Sequence, residues 1–190
     1  MPIDKKYTET LVVGRINLID TSGNSAHDST TAGINILDYE HHEIHSGSHY
    51  YVEGYVTLGL SGTLYVKLVT PNTAKWAHFG WRLNSSGILT TTLVEAPTGG
   101  MAGGSGVTPM NNDRNSTNTS GITITSGVTA CTGGTIISQE SFGGKGAGGE
   151  ISRSDELILK QNTTYCRTFL SGTATNLIGF KASWYEHTNK

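Results

Sequence analysis

Thr63-Leu64-Tyr65-Val66-Lys67-Leu68-Val69-Thr70 is the stretch that decides the fold class. Leu64, Val66 and Leu68 occupy every second position, and a period of two belongs to a strand with one face on a core. Turn chemistry brackets the run, with Leu58-Gly59-Leu60-Ser61-Gly62 before it and Pro71-Asn72-Thr73 after it. Working outward, strand-length runs recur at 50–58, 76–83 and 88–95, then at 121–125, 135–141, 156–160, 164–170 and 177–187. A long loop, residues 96–120, carries Gly99-Gly100 and Gly103-Gly104-Ser105-Gly106, and Gly143 to Gly149 form a second glycine cluster. No segment has convincing helical periodicity. Eight or nine strands, each with one face to bury, predict an all-β, antiparallel two-sheet sandwich. A jelly roll handles that number of strands naturally. An immunoglobulin-like sandwich would need a Cys-Trp-Cys arrangement that this chain lacks.

Composition points the same way. The 190 residues include 25 glycines, only 15 % are charged, and β-branched and aromatic residues supply much of the apolar content. The first 40 residues differ from the rest: Tyr7 to Ile19 is strand-like, and Asp20 to Thr31 is polar and rich in Ser, Thr, Gly and Asn. Such a segment buries little surface by itself. We therefore expect an N-terminal extended arm over 1–40 and a sandwich domain over 41–190.

The formal net charge is -2 without a basic cluster, which argues against nucleic acid and against an anionic membrane surface as partners. No apolar run approaches the ~20 residues of a membrane-spanning helix. The opening Met1-Pro2-Ile3-Asp4-Lys5-Lys6 lacks the pattern of a secretory signal, so folding in the cytosol is expected. Under reducing synthesis, Cys131 and Cys166 are expected to be free, buried thiols, with a disulfide the less favoured alternative.

Several constellations invite a chemical reading. His41-His42-Glu43-Ile44-His45-Ser46-Gly47-Ser48-His49 is dense in metal-ligating side chains. On an extended strand His41 and His45 would lie about 13 Å apart. A helix would join them, but Ser46-Gly47-Ser48 would end it almost at once, and a turn there offers two ligands at best. No metal is therefore assigned. Gly144-x-Gly146-x-x-Gly149 matches the dinucleotide fingerprint by letter but is not followed by an amphipathic helix, so it is expected to be a flexible loop. Gly103-Gly104-Ser105-Gly106 has Val107 where a nucleophile elbow needs glycine. Glu53, Glu95, Asp155 and Glu156 are too sparse to be paired from sequence. No catalytic residue and no cofactor are assigned, and the chain is expected not to be an enzyme. Trp76, Phe79, Trp81, Tyr50, Tyr51, Tyr55, Trp184 and Tyr185 could form a sugar platform, though most should be core or subunit interface. Arg114, in a loop rich in asparagine, is expected to tie that loop to its own domain.

Five segments resemble a group of small β-rich virion structural proteins of tailed bacteriophages. They are His42 to Tyr50, Thr70 to Phe79, Arg114 to Gly121, Ser152 to Tyr165 and Ala182 to Thr188. The resemblance implies a capsid decoration (cement) protein, with a jelly-roll or related sandwich, often trimeric, binding the major capsid protein on the virion surface after assembly in the host cytoplasm. A tail or baseplate component, or a carbohydrate-binding host-recognition module, is the alternative. No contact residue is carried over.

Overall fold

In a computed structural model, the described residues are 39–143, 147–150 and 156–188, with 147–150 described for backbone only. The expected arm therefore lies outside the described residues, apart from its last two positions.

Among the described residues one short helix, α1 (Tyr39–His45), precedes twelve strands. These are β1 (His49–Leu58), β2 (Thr63–Val69), β3 (Lys75–Ser85), β4 (Leu89–Glu95), β5 (Ser105–Val107) and β6 (Met110–Asn111). They continue as β7 (Thr123–Ser126), β8 (Thr135–Phe142), β9 (Ala147–Glu150), β10 (Leu157–Leu159), β11 (Thr164–Ser171) and β12 (Asn176–Thr188). They form two antiparallel sheets. The first has the order β10-β3-β12-β1-β6, with β9 also on the free side of β3, and the second β5-β7-β2-β11-β4-β8.

Alternation along the strands sets the core. Val66 and Leu68 of β2 are fully buried, as the sequence pattern requires. They join Leu93, Tyr165 and Phe169 of the second sheet against Val52, Phe79, Trp81, Ile178 and Trp184 of the first. Trp81 meets Phe169 edge-on across the layer, with ring centroids 6.0 Å apart. Arg167 is wholly buried in the same layer, its guanidinium 5.7 Å from the centre of the Trp81 ring. Its Nε donates to Thr91 Oγ1 at 2.7 Å and its Nη2 to Glu140 Oε1 at 2.8 Å. Burial lowers its pKa, and the hydrogen bond and charge of Glu140 oppose that shift.

Four local expectations are corrected. The long loop contains the short strands β5 and β6, and Ala147–Glu150 of the glycine cluster is a strand registered on Arg82 to Ser85. The histidine segment does form a helix, of one and a half to two turns. Gly47 closes it at φ 69°: Gly47 N–H donates to Ile44 O and Ser48 N–H to Glu43 O, a Schellman end that needs a left-handed residue. Lastly, Cys131 and Cys166 are joined in a disulfide, with Cα atoms 6.2 Å apart, rather than free. Cys166 sits on the outward side of β11, and the loop holding Cys131 folds back across that side. Thr98 N–H to Thr132 O and Ala130 N–H to Gly100 O, at 2.8 and 2.7 Å, tie this loop to residues 98–100. Sequence separation carries no information about such a fold-back.

Candidate functional site

The last residues of β12 organise one end of the first sheet. Strand alternation turns Trp184 and Glu186 inward and Tyr185 and His187 outward. On the inner side the Glu186 carboxylate is 5 % exposed. It accepts from Trp184 Nε1 at 3.0 Å, Ser120 Oγ at 2.5 Å and Gly121 N–H at 3.0 Å. This carboxylate thereby fixes the C-terminal end of the loop 112–121.

On the outer side, register places His78 and His49 on either flank of Tyr185. The His78 ring stacks on Tyr185 with centroids 4.5 Å apart, and His49 lies 6.3 Å away on the other side. Glu156, just before β10, accepts from Tyr185 Oη at 2.9 Å and bonds His78 Nδ1 through the same oxygen. His78 Nε2 meets His187 Nε2 at 2.7 Å, and His187 Nδ1 faces Thr188 O at 3.1 Å. Carboxylate and carbonyl oxygens only accept, so both Nδ1 atoms carry hydrogen. The two Nε2 atoms are left facing each other at the middle of the chain of contacts from Glu156 to Thr188.

Helix α1 brings His41 and His45 together at i and i+4, with Nε2 atoms 3.0 Å apart and both side chains exposed. His49, by contrast, is buried: its Nε2 lies 3.3 Å from Glu40 Oε1 and its Nδ1 2.7 Å from Asn112 Nδ2. Burial lowers its pKa below 6.5, opposed by the charge and hydrogen bond of Glu40, with Lys181 adding to the lowering. His45 and His49, which a turn could have paired, are thus divided between two settings.

Asn111 Nδ2 donates to Gly47 O at 2.9 Å, Asn118 Nδ2 to Gly47 O at 3.2 Å, and Arg114 Nη1 to Asn111 O at 3.5 Å. Self-tethering of that loop is what its asparagines do. Ser105 lies in β5, not on a strand-to-helix elbow, and β9 occupies the place where a dinucleotide motif needs a helix. Glu95 accepts from Lys160 Nζ at 2.6 Å and from Tyr165 Oη at 3.2 Å. Burial pushes the Tyr165 phenol up to about 12. Glu53 pairs in register with Lys181 across β1 and β12, while Asp155 lies outside the described residues. The aromatic set divides: Tyr50, Phe79, Trp81 and Trp184 are core, whereas Tyr51, Tyr55, Trp76 and Tyr185 lie on the outer face. Exposed Tyr55 and Trp76 stand opposite Gly179 and His187, about 26 Å apart along β12, too far for one sugar platform. The Glu156–His78–His187 chain escaped sequence reasoning because its members come from three separate strand regions. Only the pairing register of β3, β10 and β12 brings them together.

No protein-family model matches this chain, and no curated protein sequence matches it. No helix among the described residues is long and apolar enough to cross a membrane.

The described parts of the five segments, which exclude residues 152–155, converge on this one end. Glu186 N–H donates to Ser48 O at 3.0 Å, and Tyr50 Oη to Thr119 O at 3.3 Å. Trp76 and His78 pair in register with His187 and Tyr185, and Ile158 pairs with His78. Asn162 N–H donates to Pro71 O at 3.1 Å. Sequence-distant stretches thus make a single continuous region, rimmed by Trp76 at 38 % and Ile158 at 54 % exposure.

Proposed function

We propose that this chain is a virion structural protein of a tailed bacteriophage, a capsid decoration (cement) protein that binds assembled major capsid protein as a homotrimer. The observation that carries this is the convergence of the described parts of the five resembling segments on one end of the sandwich. Strand pairing among β1, β3, β10 and β12 brings four of them together, and beside them this end exposes Trp76 and Ile158, an apolar rim suited to a partner. A ligand that binds only the assembled shell stabilises it by mass action, and trimerisation multiplies weak contacts.

Strand order supports a jelly roll. Counting β1, β2, β3, β4, β8, β9 with β10, β11 and β12 as eight strands, first pairs with last, second with seventh, third with sixth and fourth with fifth. Successive pairs alternate between the sheets, as in one long hairpin wrapped on itself. Residues 1–40 are proposed as an arm that lies along the capsid.

Purified chain added to assembled shells and to free capsid subunits should co-sediment saturably with the shells alone. Trp76→Ser with Ile158→Ser should abolish that binding while leaving the melting temperature within a few degrees. Binding that survives both substitutions would remove the docking end. A particle carrying the protein on its tail, with glycan binding lost on Trp76→Ser, would favour host recognition instead.

A further inference from the structure

We propose that His78 and His187 form a two-histidine site for a borderline divalent transition ion such as Zn²⁺, held through their Nε2 atoms. A ligand pair on one such ion, with bonds of about 2.0–2.1 Å, stands roughly 2.9–3.4 Å apart, depending on geometry. The two Nε2 atoms are 2.7 Å apart, so a few tenths of an ångström of opening admits the ion. What distinguishes this pair is the far side of each ring. His78 Nδ1 is bonded to the Glu156 carboxylate and His187 Nδ1 faces the Thr188 carbonyl. Those are the partners that fix a ligating imidazole with hydrogen on Nδ1 and its lone pair on Nε2. Tyr185 adds a further restraint, stacking on His78 while its hydroxyl donates to Glu156.

The ion takes the place of the direct contact between the two Nε2 atoms. Both Nδ1 hydrogens stay where they are, and Glu156 offsets part of the added charge. Among the described residues no group of three or more His, Cys, Asp or Glu converges, and this pair supplies two ligands of such a site. Exposed Trp76 and Ile158, the register neighbours of His187 and His78, place the pair on the rim of the converged end. The site holds whether or not the chain decorates a capsid.

Zn²⁺ titrated into the full chain, followed by calorimetry and by nitrogen shifts of the histidine rings, tests this. One equivalent should shift Nε2 of His78 and His187. His78→Ala and His187→Ala should each weaken binding at least tenfold, with the double variant no weaker than either single one. Glu156→Gln should weaken it about tenfold through ring orientation alone. His41→Ala, which breaks the exposed helical pair, should change nothing at this site. The proposal is overturned if Zn²⁺ leaves the His78 and His187 nitrogens unshifted at millimolar concentration. It is equally overturned if His41→Ala removes the binding and His187→Ala does not. The shifts on the unaltered chain decide the matter even where a variant folds poorly.

Discussion

Two loops close over this sandwich, and they are fastened in opposite ways. The stretch around Cys131 crosses the outer side of the second sheet and is bonded covalently to Cys166. Beneath it Cys166 and Val94 are buried on what would otherwise be a solvent face, and Lys67 Nζ reaches Met101 O at 3.5 Å. The loop 112–121, at the end of the first sheet, has no covalent tie. It is fastened by the Glu186 carboxylate and by the amides of Asn111 and Asn118 on Gly47 O. A covalent clasp depends on redox poise and ignores protonation. A polar clasp does the reverse, and it can yield locally when a partner arrives.

Removing the covalent clasp has the largest expected effect. Cys131→Ser with Cys166→Ser reopens a closure of 35 residues, for which chain entropy predicts about 3–4 kcal/mol of lost stability. Denaturant unfolding of the oxidised, reduced and doubly substituted chains should show the last two alike, both well below the first. Limited proteolysis should then cut near Gly127 to Gly134 and spare 112–121. Equal stability of the oxidised and reduced chains would break the contrast.

Glu186→Gln attacks the other clasp. The carboxylate faces an indole N–H, a hydroxyl and a backbone N–H, all donors, and an amide would turn one NH₂ group toward them. About 1–3 kcal/mol should be lost. Hydrogen exchange should quicken at Gly121 and Ile122 and stay unchanged at Thr132. Quickening in both loops together would show that they open as one unit.

How much of this was legible beforehand follows from what strands and loops depend on. Val66 and Leu68 declared their face through alternation, and seven of the nine strand runs fall on strands of seven residues or more, the runs at 121–125 and 156–160 meeting the shorter β7 and β10. β6 has only two residues, and β9 reads Ala-Gly-Gly-Glu, so neither has a side-chain period to detect; partner register alone makes them strands. Helix α1 is too short for periodicity, and the same Gly47 that argued against a helix supplies its C-terminal stop. The disulfide and the Glu156–His78–His187 chain are products of tertiary placement. In each, the residue types were visible and their distances were not.

The smallest expected effect distinguishes the clasps by pH. His49 touches Asn112 at the start of the 112–121 loop and is flanked by Glu40, Glu43, Lys181 and Tyr185. Burial is the largest influence on it and lowers its folded pKa below 6.5, the value expected unfolded. Below pH 6.5 the unfolded chain therefore binds more protons at this position than the folded one. The contribution of His49 is complete above pH 6.5, declines as pH falls through that value, and stops declining once pH passes the lower folded value. Its imidazole should titrate below 6.5 by nuclear magnetic resonance. Lys181→Met should raise the midpoint, because a repelling charge is lost, and Glu40→Gln should lower it, because an attracting one is. In stability measured between pH 7.5 and 5.5, His49→Asn should flatten the acid-side loss, and the disulfide variant should keep that slope on a lower baseline. A midpoint at or above 6.5 would mean that Glu40 outweighs burial, and the pH sensitivity of this clasp would then run in the opposite direction.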